Sequence, residues 1–422
     1  MQIPALVMFI LMYVVIIAFP KRRVIAACVT AVLFLVTGIL PFTEILTTVN
    51  WNALFMIAGT MIIVDYFIDS LMPNKIAEQL LDRSKNVMWV TIYMSLFAGV
   101  ISAFIDNVAT VQMVAPVGLA ICKKLNISPV PMLLSISVSS NLQGAATLVG
   151  DTTSIMLGAY ADMDFTEFFW MNGKPGIFFA VELGAAATVP IMMFLFRKDQ
   201  DPVSNTERTK IKDIMPSFML VGMVIALIAA SFIEEKPAVT NGVICLVIAL
   251  VTALIDYARL KDTSHIVRAA KSIDFETLLL LTALFIVIGG VSAVGIIDAF
   301  ASWIARVGGG NLFLLYTIIV WGSVIISAFI DNIPYVATML PVLLSVTTQL
   351  SVEPYVLYFG LLCGATLGGN LTPIGASANI ATTGLLRKEG YDVGFSDFMR
   401  IGVPFTLTAV LMGYLFIWFV WK

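Results

Sequence analysis

The chain has 422 residues, of which 59% are hydrophobic and only 12% charged, with a formal net charge of −3. An ordinary soluble domain carries roughly one-quarter charged residues, so no water-facing surface can be assembled here. The lack of a basic tract or an aromatic-interleaved basic patch excludes nucleic acid as a partner, and the lipid bilayer becomes the expected solvent.

Apolar runs long enough to cross a hydrocarbon core of about 30 Å as helices fall in chain order at 3–19, 24–40, 51–70, 88–105, 107–122, 129–161 and 175–196. After a polar linker they recur at 214–232, 238–256, 275–296, 312–330, 332–349, 354–386 and 401–421. The runs are continuous rather than alternating over about ten residues, which argues against an outer-membrane barrel. The first has no basic leader and no small-residue cleavage site, so it reads as a retained helix rather than a signal peptide. Cys28, Cys122, Cys245 and Cys363 stand singly in apolar surroundings, and the one histidine, His265, lies in a polar linker. Neither a disulfide framework nor a structural zinc site is expected. With no membrane-embedded Ser/His or His/Glu set, an enzyme is not expected either.

The two halves repeat. Ser102-Ala103-Phe104-Ile105-Asp106-Asn107 returns as Ser327-Ala328-Phe329-Ile330-Asp331-Asn332, 225 residues later. The same ungapped offset pairs Pro116 with Pro341, Pro129 with Pro354, Gly144 with Gly369, Thr147 with Thr372, Gly150 with Gly375 and Ile155 with Ile380. This is an internal duplication, and duplicated transporters place their sites where the repeats meet.

Lysine and arginine gather in cytoplasmic loops of inner-membrane proteins. With the N-terminus outside and 88–122 and 312–349 folded back as re-entrant hairpins, only Lys174, Lys236, Arg306 and Lys422 of the 24 basic residues remain outside. Each half then has five spans plus one hairpin, and the odd number of spans turns the second copy upside down. The expected fold is an all-α polytopic inner-membrane protein of two inverted repeats with broken helices at the centre and both termini outside.

Asp106-Asn107 and Asp331-Asn332 interrupt apolar segments near the expected bilayer centre. An aspartate there costs at least about 2.5–3.5 kcal/mol, which makes it a functional candidate. Capping of the following helix by each carboxylate is the alternative, and the two roles can coexist. The second constellation is Gly144-Ala-Ala-Thr-Leu-Val-Gly-Asp-Thr-Thr-Ser-Ile155 and its copy Gly369-Asn-Leu-Thr-Pro-Ile-Gly-Ala-Ser-Ala-Asn-Ile380. Glycine and proline disfavour helix interiors by about 1 and 3 kcal/mol, so each long segment is expected to unwind there; a packing kink is the alternative reading. Unwound backbone at membrane depth must be buried or line a cavity, where it offers carbonyls to cations and half-helix amides to anions. Thr147, Thr152, Thr153, Ser154, Asn370, Thr372, Ser377 and Asn379 add neutral oxygen ligands, and with Asp106, Asp151 and Asp331 they suit sodium, a hard cation. No arginine or lysine is expected in this central layer. Asp65, Asp69, Glu182, Glu276 and Asp298 are expected at solvated segment ends.

At these residues the chain resembles the ion transporter superfamily, in particular its citrate-transporter-like branch of arsenite permeases, sodium/proton antiporters and melanosomal P-proteins, related to the divalent anion/sodium symporters. The resemblance spans nearly the whole length. It rests on Phe104-Ile105-Asp106-Asn107-Val108, Gly150-Asp151-Thr152-Thr153-Ser154-Ile155, Ile330-Asp331-Asn332-Ile333-Pro334 and Gly368-Gly-Asn-Leu-Thr-Pro-Ile-Gly-Ala-Ser-Ala-Asn379. It implies two sodium sites flanking a substrate, a dimerising scaffold and a transport domain that moves as an elevator. Carried over, Asn107 with Gly150 and Ser154 forms one cation site, and Asn332 with Gly375 and Asn379 the other. Asp106, Asp151 and Asp331 complete the candidate sodium ligands; Asn107, Thr152, Thr153, Asn332 and Ser377 are the candidate substrate ligands.

Two departures matter. The branch reads Gly-Asp-Pro-Pro-Asn-Ile at the first break, where this chain has Thr152, Thr153 and Ser154, so that cation site is expected to be reshaped. The dicarboxylate symporters carry Ser-Asn-Thr at both tips, where this chain has Asp106-Asn107-Val108 and Asp331-Asn332-Ile333, which argues against a dicarboxylate. The expected organisation is a first repeat over 1–197, with 1–87 as scaffold and 88–161 as hairpin and broken helix of the transport domain. A cytoplasmic linker covers 198–212. The second repeat covers 213–422, with 213–306 largely scaffold and 311–386 as its hairpin and broken helix. The expected activity is sodium- or proton-coupled secondary transport of a small anion or oxyanion by a homodimer, with sodium as coupling ion and no other cofactor. Sodium/proton antiport and arsenite or antimonite efflux are the alternatives.

Overall fold

A computed structural model of the chain describes residues 1–203 and 209–422; the expected cytoplasmic placement of Arg208 lies outside the described residues. The first half runs α1 (Gln2–Ala18), α2 (Arg23–Val36), α3 (Ile45–Thr48), α4 (Trp51–Asp69), α5 (Met72–Arg83), α6 (Val87–Ser102), α7 (Asn107–Leu125), α8 (Val130–Gly144), α9 (Thr152–Ala161) and α10 (Ile177–Leu195). The second runs α11 (Met215–Ala230), α12 (Thr240–Leu260), α13 (Ser264–Ser272), α14 (Phe275–Ala293), α15 (Ile296–Gly308), α16 (Leu312–Ser327), α17 (Asn332–Leu350), α18 (Tyr355–Gly368), α19 (Ser377–Lys388) and α20 (Phe395–Trp421). A two-residue hairpin, β1 (Trp170–Met171) with β2 (Lys174–Pro175), is the one sheet among the described residues. By length and composition, seven of the described helices are long and apolar enough to cross a membrane, or eight if the bent pair α15–α16 forms one span.

The duplication reaches the capping chemistry. Asn86 opens α6 by accepting from the Trp89 amide, and Asn311 opens α16 by accepting from the Leu314 amide, both at 3.1 Å. Asp106 and Asp331 cap α7 and α17. Those two helices end on Asn126 and Ser351, both at φ 54°, in the left-handed conformation that terminates a helix. Both expected breaks are present, since helix stops at Gly144 and resumes at Thr152, and stops at Gly368 and resumes as α-helix at Ser377. The repeats exchange partners: α4 packs on α12 while α14 packs on α2, and α9 packs on α17 while α19 packs on α7.

Lipid tails are as apolar as leucine, so helices in a bilayer associate through close contact of small residues more than through burial. The α4–α12 crossing is built this way. A Cβ on Gly59 would lie 2.5 Å from the Cys245 carbonyl carbon, and one on Gly242 would lie 2.7 Å from the Asn52 carbonyl oxygen. At the centre, every residue of α8 from Met132 to Gly144 and of α18 from Val356 to Gly368 is buried. Outer helices carry exposed apolar rows, such as Ile3, Val7, Ile10, Leu11 and Val14 on α1.

Two stretches differ from expectation. Residues read as a loop after 70 and as the end of a segment after 296 form the amphipathic helices α5 and α15, and α15 meets α16 at 116°. Their apolar residues occupy one face only, so they lack the continuous run that marks a span. The described parts of the linker are tied down: the Thr209 amide donates to both Glu78 carboxylate oxygens at 2.8 and 3.0 Å, and the Met88 amide donates to the Asp199 carbonyl at 2.8 Å.

Gly59→Leu is expected to cost about 1–3 kcal/mol or more through overpacking against backbone, read as a lower melting temperature in detergent. Gly222→Leu, where a Cβ meets nothing within 4 Å, should leave the melting temperature unchanged.

Candidate transport site

The site grows out of two helix breaks in a medium without water. When a helix stops, its last carbonyls lose their partners, and at membrane depth they must be satisfied by protein. Here the breaks satisfy the hairpins. The Thr147 hydroxyl donates to the Ala103 carbonyl at the end of α6, and the Thr372 hydroxyl donates to the Ala328 carbonyl at the end of α16. Each contact joins the loop of a broken helix to the tip of the hairpin in the same repeat.

Gly150 and Gly375 sit where three carbonyls converge. A Cβ on Gly150 would lie 2.6, 2.7 and 2.8 Å from the carbonyl oxygens of Gly144, Ser102 and Ala103. A Cβ on Gly375 would lie at the same distances from those of Gly369, Ser327 and Ala328. Backbone cannot yield as a side-chain end can, so both positions require glycine.

The two breaks are then closed differently. In the first, Ser154 donates one hydrogen bond, to the Gly144 carbonyl at 3.2 Å. In the second, Asn379 donates to the carbonyls of Gly369 at 3.0 Å and Thr372 at 3.1 Å, and accepts from Ser137 at 2.7 Å and Asn141 at 2.9 Å. Both amide hydrogens and both lone pairs of Asn379 are thereby used. Asn141 also donates to the Asn370 side chain at 2.7 Å, so α8 of one repeat is pinned to the broken segment of the other.

The tips face a cavity of about 350 Å³ lined by Asp106, Asn107, Asp151, Thr152, Asn332 and Ser377, and also by Arg23, Asp65, Gln112, Asp274 and Thr277. Asp106 accepts from the amides of Val108 at 3.0 Å and Ala109 at 3.3 Å, so its capping role is real. Asp151 is buried and accepts from Thr153 at 2.9 Å and from the Asn332 amide at 3.5 Å, a contact between repeats. Asp331 accepts from the Ile333 amide at 3.2 Å and from Ser377 at 2.9 Å. Of the sequence candidates, Thr153 turns toward Thr366 at 3.0 Å, while Gly150, Ser154, Gly375 and Asn379 form the breaks behind the cavity.

One expectation is overturned. Arg23, assigned to a loop, lines the cavity and forms an ion pair with Asp331. The cause is length: α2 has 14 residues, about 21 Å of helix, against a core of about 30 Å. Its N-terminal residue therefore reaches the tips on a long side chain. Asp65 and Asp69 are likewise not simply solvated; Arg268 pairs with both, at 2.9 and 3.0 Å, and Lys212 pairs with Asp69 at 3.0 Å. Asp298 lies in the first turn of α15 and accepts from Ser345 at 2.6 Å. Sequence reasoning passed over Asp274, although it caps α14 through the Thr277 amide at 3.0 Å just before an apolar run. It also passed over Ser137 and Asn141, although α8 reads as an unusually polar buried run.

The comparisons with known proteins fit this frame. The family model described as "Citrate transporter" matches residues 13–364 and 269–422. An uncharacterized transporter of Mycobacterium bovis is 29% identical over 99% of this chain and 98% of its own length. The human P protein is 25% identical over 88% of this chain and 54% of its own length. Among solved structures, the YdaH transporter of Alcanivorax borkumensis has a TM-score of 0.59 at 13% identity, covering 89% of this chain and 87% of its own, which is a likeness of fold.

Asn379→Ala orphans buried groups on four sides, each worth roughly 1–3 kcal/mol, whereas Ser154→Ala removes one bond of about 1 kcal/mol. Melting of the two variants should show a much larger loss for Asn379→Ala. Equal losses would contradict the asymmetry of the breaks.

Proposed function

We propose, from the premise that the chain belongs to the citrate transporter family of membrane transporters, that it is a cation-coupled secondary transporter of a small anion or oxyanion working by alternating access. The carrying observation is the single cavity on which both hairpin tips and both broken segments converge. Its lining combines the carboxylates of Asp106 and Asp151 with the neutral oxygens of Asn107, Thr152, Asn332 and Ser377. Carboxylates, amide and hydroxyl oxygens suit sodium, and the carbonyl clusters at Gly150 and Gly375 supply the half-helix ends that hold coupling cations in broken-helix transporters. Citrate, named in the family's description, is the first anion to test.

The coupling ion is sodium in this proposal. Asp106, Asn107, Gly150, Asp151 and Ser154 contribute to one sodium site, and Asp331, Asn332 and Gly375 to the other. The saturated Asn379 side chain positions the second site rather than binding in it. Hairpins and broken helices form the moving body and α1 to α4 with α11 to α14 the scaffold of a homodimer in the inner membrane. The distribution of basic residues supports both termini outside. On that orientation the cavity, which reaches Asp65 near the end of α4 and Asp274 at the start of α14, lies on the cytoplasmic side of the tips.

A second reading draws on a different observation. Among the described residues, Asp65, Asp106, Asp151 and Asp274 line the cavity with Arg23 as the one cationic lining residue, a balance that suits cations alone, as in sodium/proton antiport.

Citrate, sulfate, phosphate and arsenite, each with sodium, should be screened for a rise in melting temperature of the purified chain. Stabilisation by sodium and by one anion is expected, and it should disappear in Asn107→Ala and Asn332→Ala. A shift retained in both variants would remove the tips from the site. A sodium jump that changes the pH inside proteoliposomes with no anion present would favour antiport instead.

A further inference from the structure

Among the described residues, Arg23 is the one cationic residue lining a cavity whose other charged residues are the acids Asp65, Asp106, Asp151 and Asp274. Each acid there already has a protein partner. Asp65 is held by Arg268, Asp106 by two backbone amides, Asp151 by Thr153, and Asp274 by the Thr277 amide and hydroxyl. Arg23 is committed to Asp331, which does not line the cavity itself, and its hydrogen bonds run through Nη1 alone, to Asp331 and, at 3.5 Å, to Ser377. A guanidinium presents five N–H groups in a planar fork that matches a carboxylate or oxyanion edge. Among the described residues, the Nε and Nη2 side of Arg23 has no protein acceptor.

The arrangement exists at one tip only. Among the described residues, Asp106, the counterpart of Asp331, has no arginine or lysine partner, and the position 225 residues on from Arg23 is Ile248, on α12. Arg23 is also the first residue of α2, directly after the turn Pro20–Arg22, where a long side chain is free to re-aim without unwinding a helix.

We infer that Arg23 is a binding residue for the transported anion, held on Asp331 until a cation takes its place on that carboxylate. The inference rests on the anion-transport reading above. A cation on Asp331 replaces the counter-charge that Arg23 supplies, the guanidinium turns its fork to the cavity, and the anion meets a positive group in an otherwise acidic space. Coupling then has a physical cause at the second tip: without the cation, the one group able to attract the anion is neutralised. The first tip has no such arginine and binds a cation without gating the anion.

The test compares the purified full-length wild type with Arg23→Gln, Arg23→Lys and Asp331→Asn, with citrate, sulfate and phosphate as probes in sodium chloride or choline chloride. The wild type should be stabilised by an anion only with sodium. Arg23→Gln should keep the sodium shift and bind the anion at least tenfold more weakly. Arg23→Lys keeps the charge without the fork and should also weaken the anion, which carries the test where Arg23→Gln does not fold. Asp331→Asn, which removes the counter-charge, should bind the anion without sodium. If the wild type responds to an anion and Arg23→Gln or Arg23→Lys responds with equal affinity, the assignment of Arg23 is overturned alone. The same holds if Asp331→Asn still requires sodium. If the wild type responds to none of the anions, the anion-transport reading fails and this assignment falls with it.

Discussion

Every feature of the site depends on one constraint: a helix broken inside a bilayer has no water to complete its backbone hydrogen bonds. The chain meets this by joining each break to the tip of its own hairpin. Thr147 and Thr372 occupy the terminal carbonyls of α6 and α16, and Gly150 and Gly375 allow three carbonyls to approach where a methyl group would collide. The result is a buried cluster of partial negative charge at each tip, held without a formal charge. The Asp-Asn pairs follow from the same geometry, since a carboxylate at the start of α7 or α17 satisfies free amides while Asp106, Asn107 and Asn332 face the cavity.

The two halves share this scaffold and differ in what completes it. Asn379 closes its break with four hydrogen bonds, two of them reaching across to α8, while Ser154 closes the other with one. Arg23 adds a charge at the second tip that has no equivalent at the first among the described residues. Symmetry supplies two equivalent carbonyl-lined tips, and the unmatched residues distinguish them. Cross-repeat contacts such as Asn332 to Asp151 and Asn141 to Asn370 make the cavity a property of both halves together.

Much of this was legible in the sequence because the bilayer simplifies the code. Continuous apolar runs mark membrane-embedded helices, glycine and proline inside them mark breaks, and a strict offset of 225 residues aligned the tips without a structure. What escaped has physical reasons. The helices α5 and α15 are amphipathic and leave no continuous run. Arg23 sits in a Lys-Arg-Arg cluster that a loop-counting rule assigns to water, and only the short α2 reveals that it reaches inward. Ser137 and Asn141 act between repeats, whereas an internal alignment pairs equivalent positions and is blind to contacts between unlike ones. The linker, polar in composition, turned out to be fastened to α5 and α6 by hydrogen bonds that composition does not encode.

The central claim is that cation and anion meet at the tips and move together. Its most direct test is the accumulation of labelled citrate in proteoliposomes under an imposed inward sodium gradient, with sulfate and phosphate assayed in parallel. The account predicts uptake of one of these anions above its equilibrium level, driven by the sodium gradient and abolished when the gradient is collapsed. Equilibration of an anion at the same rate with or without the gradient would contradict it.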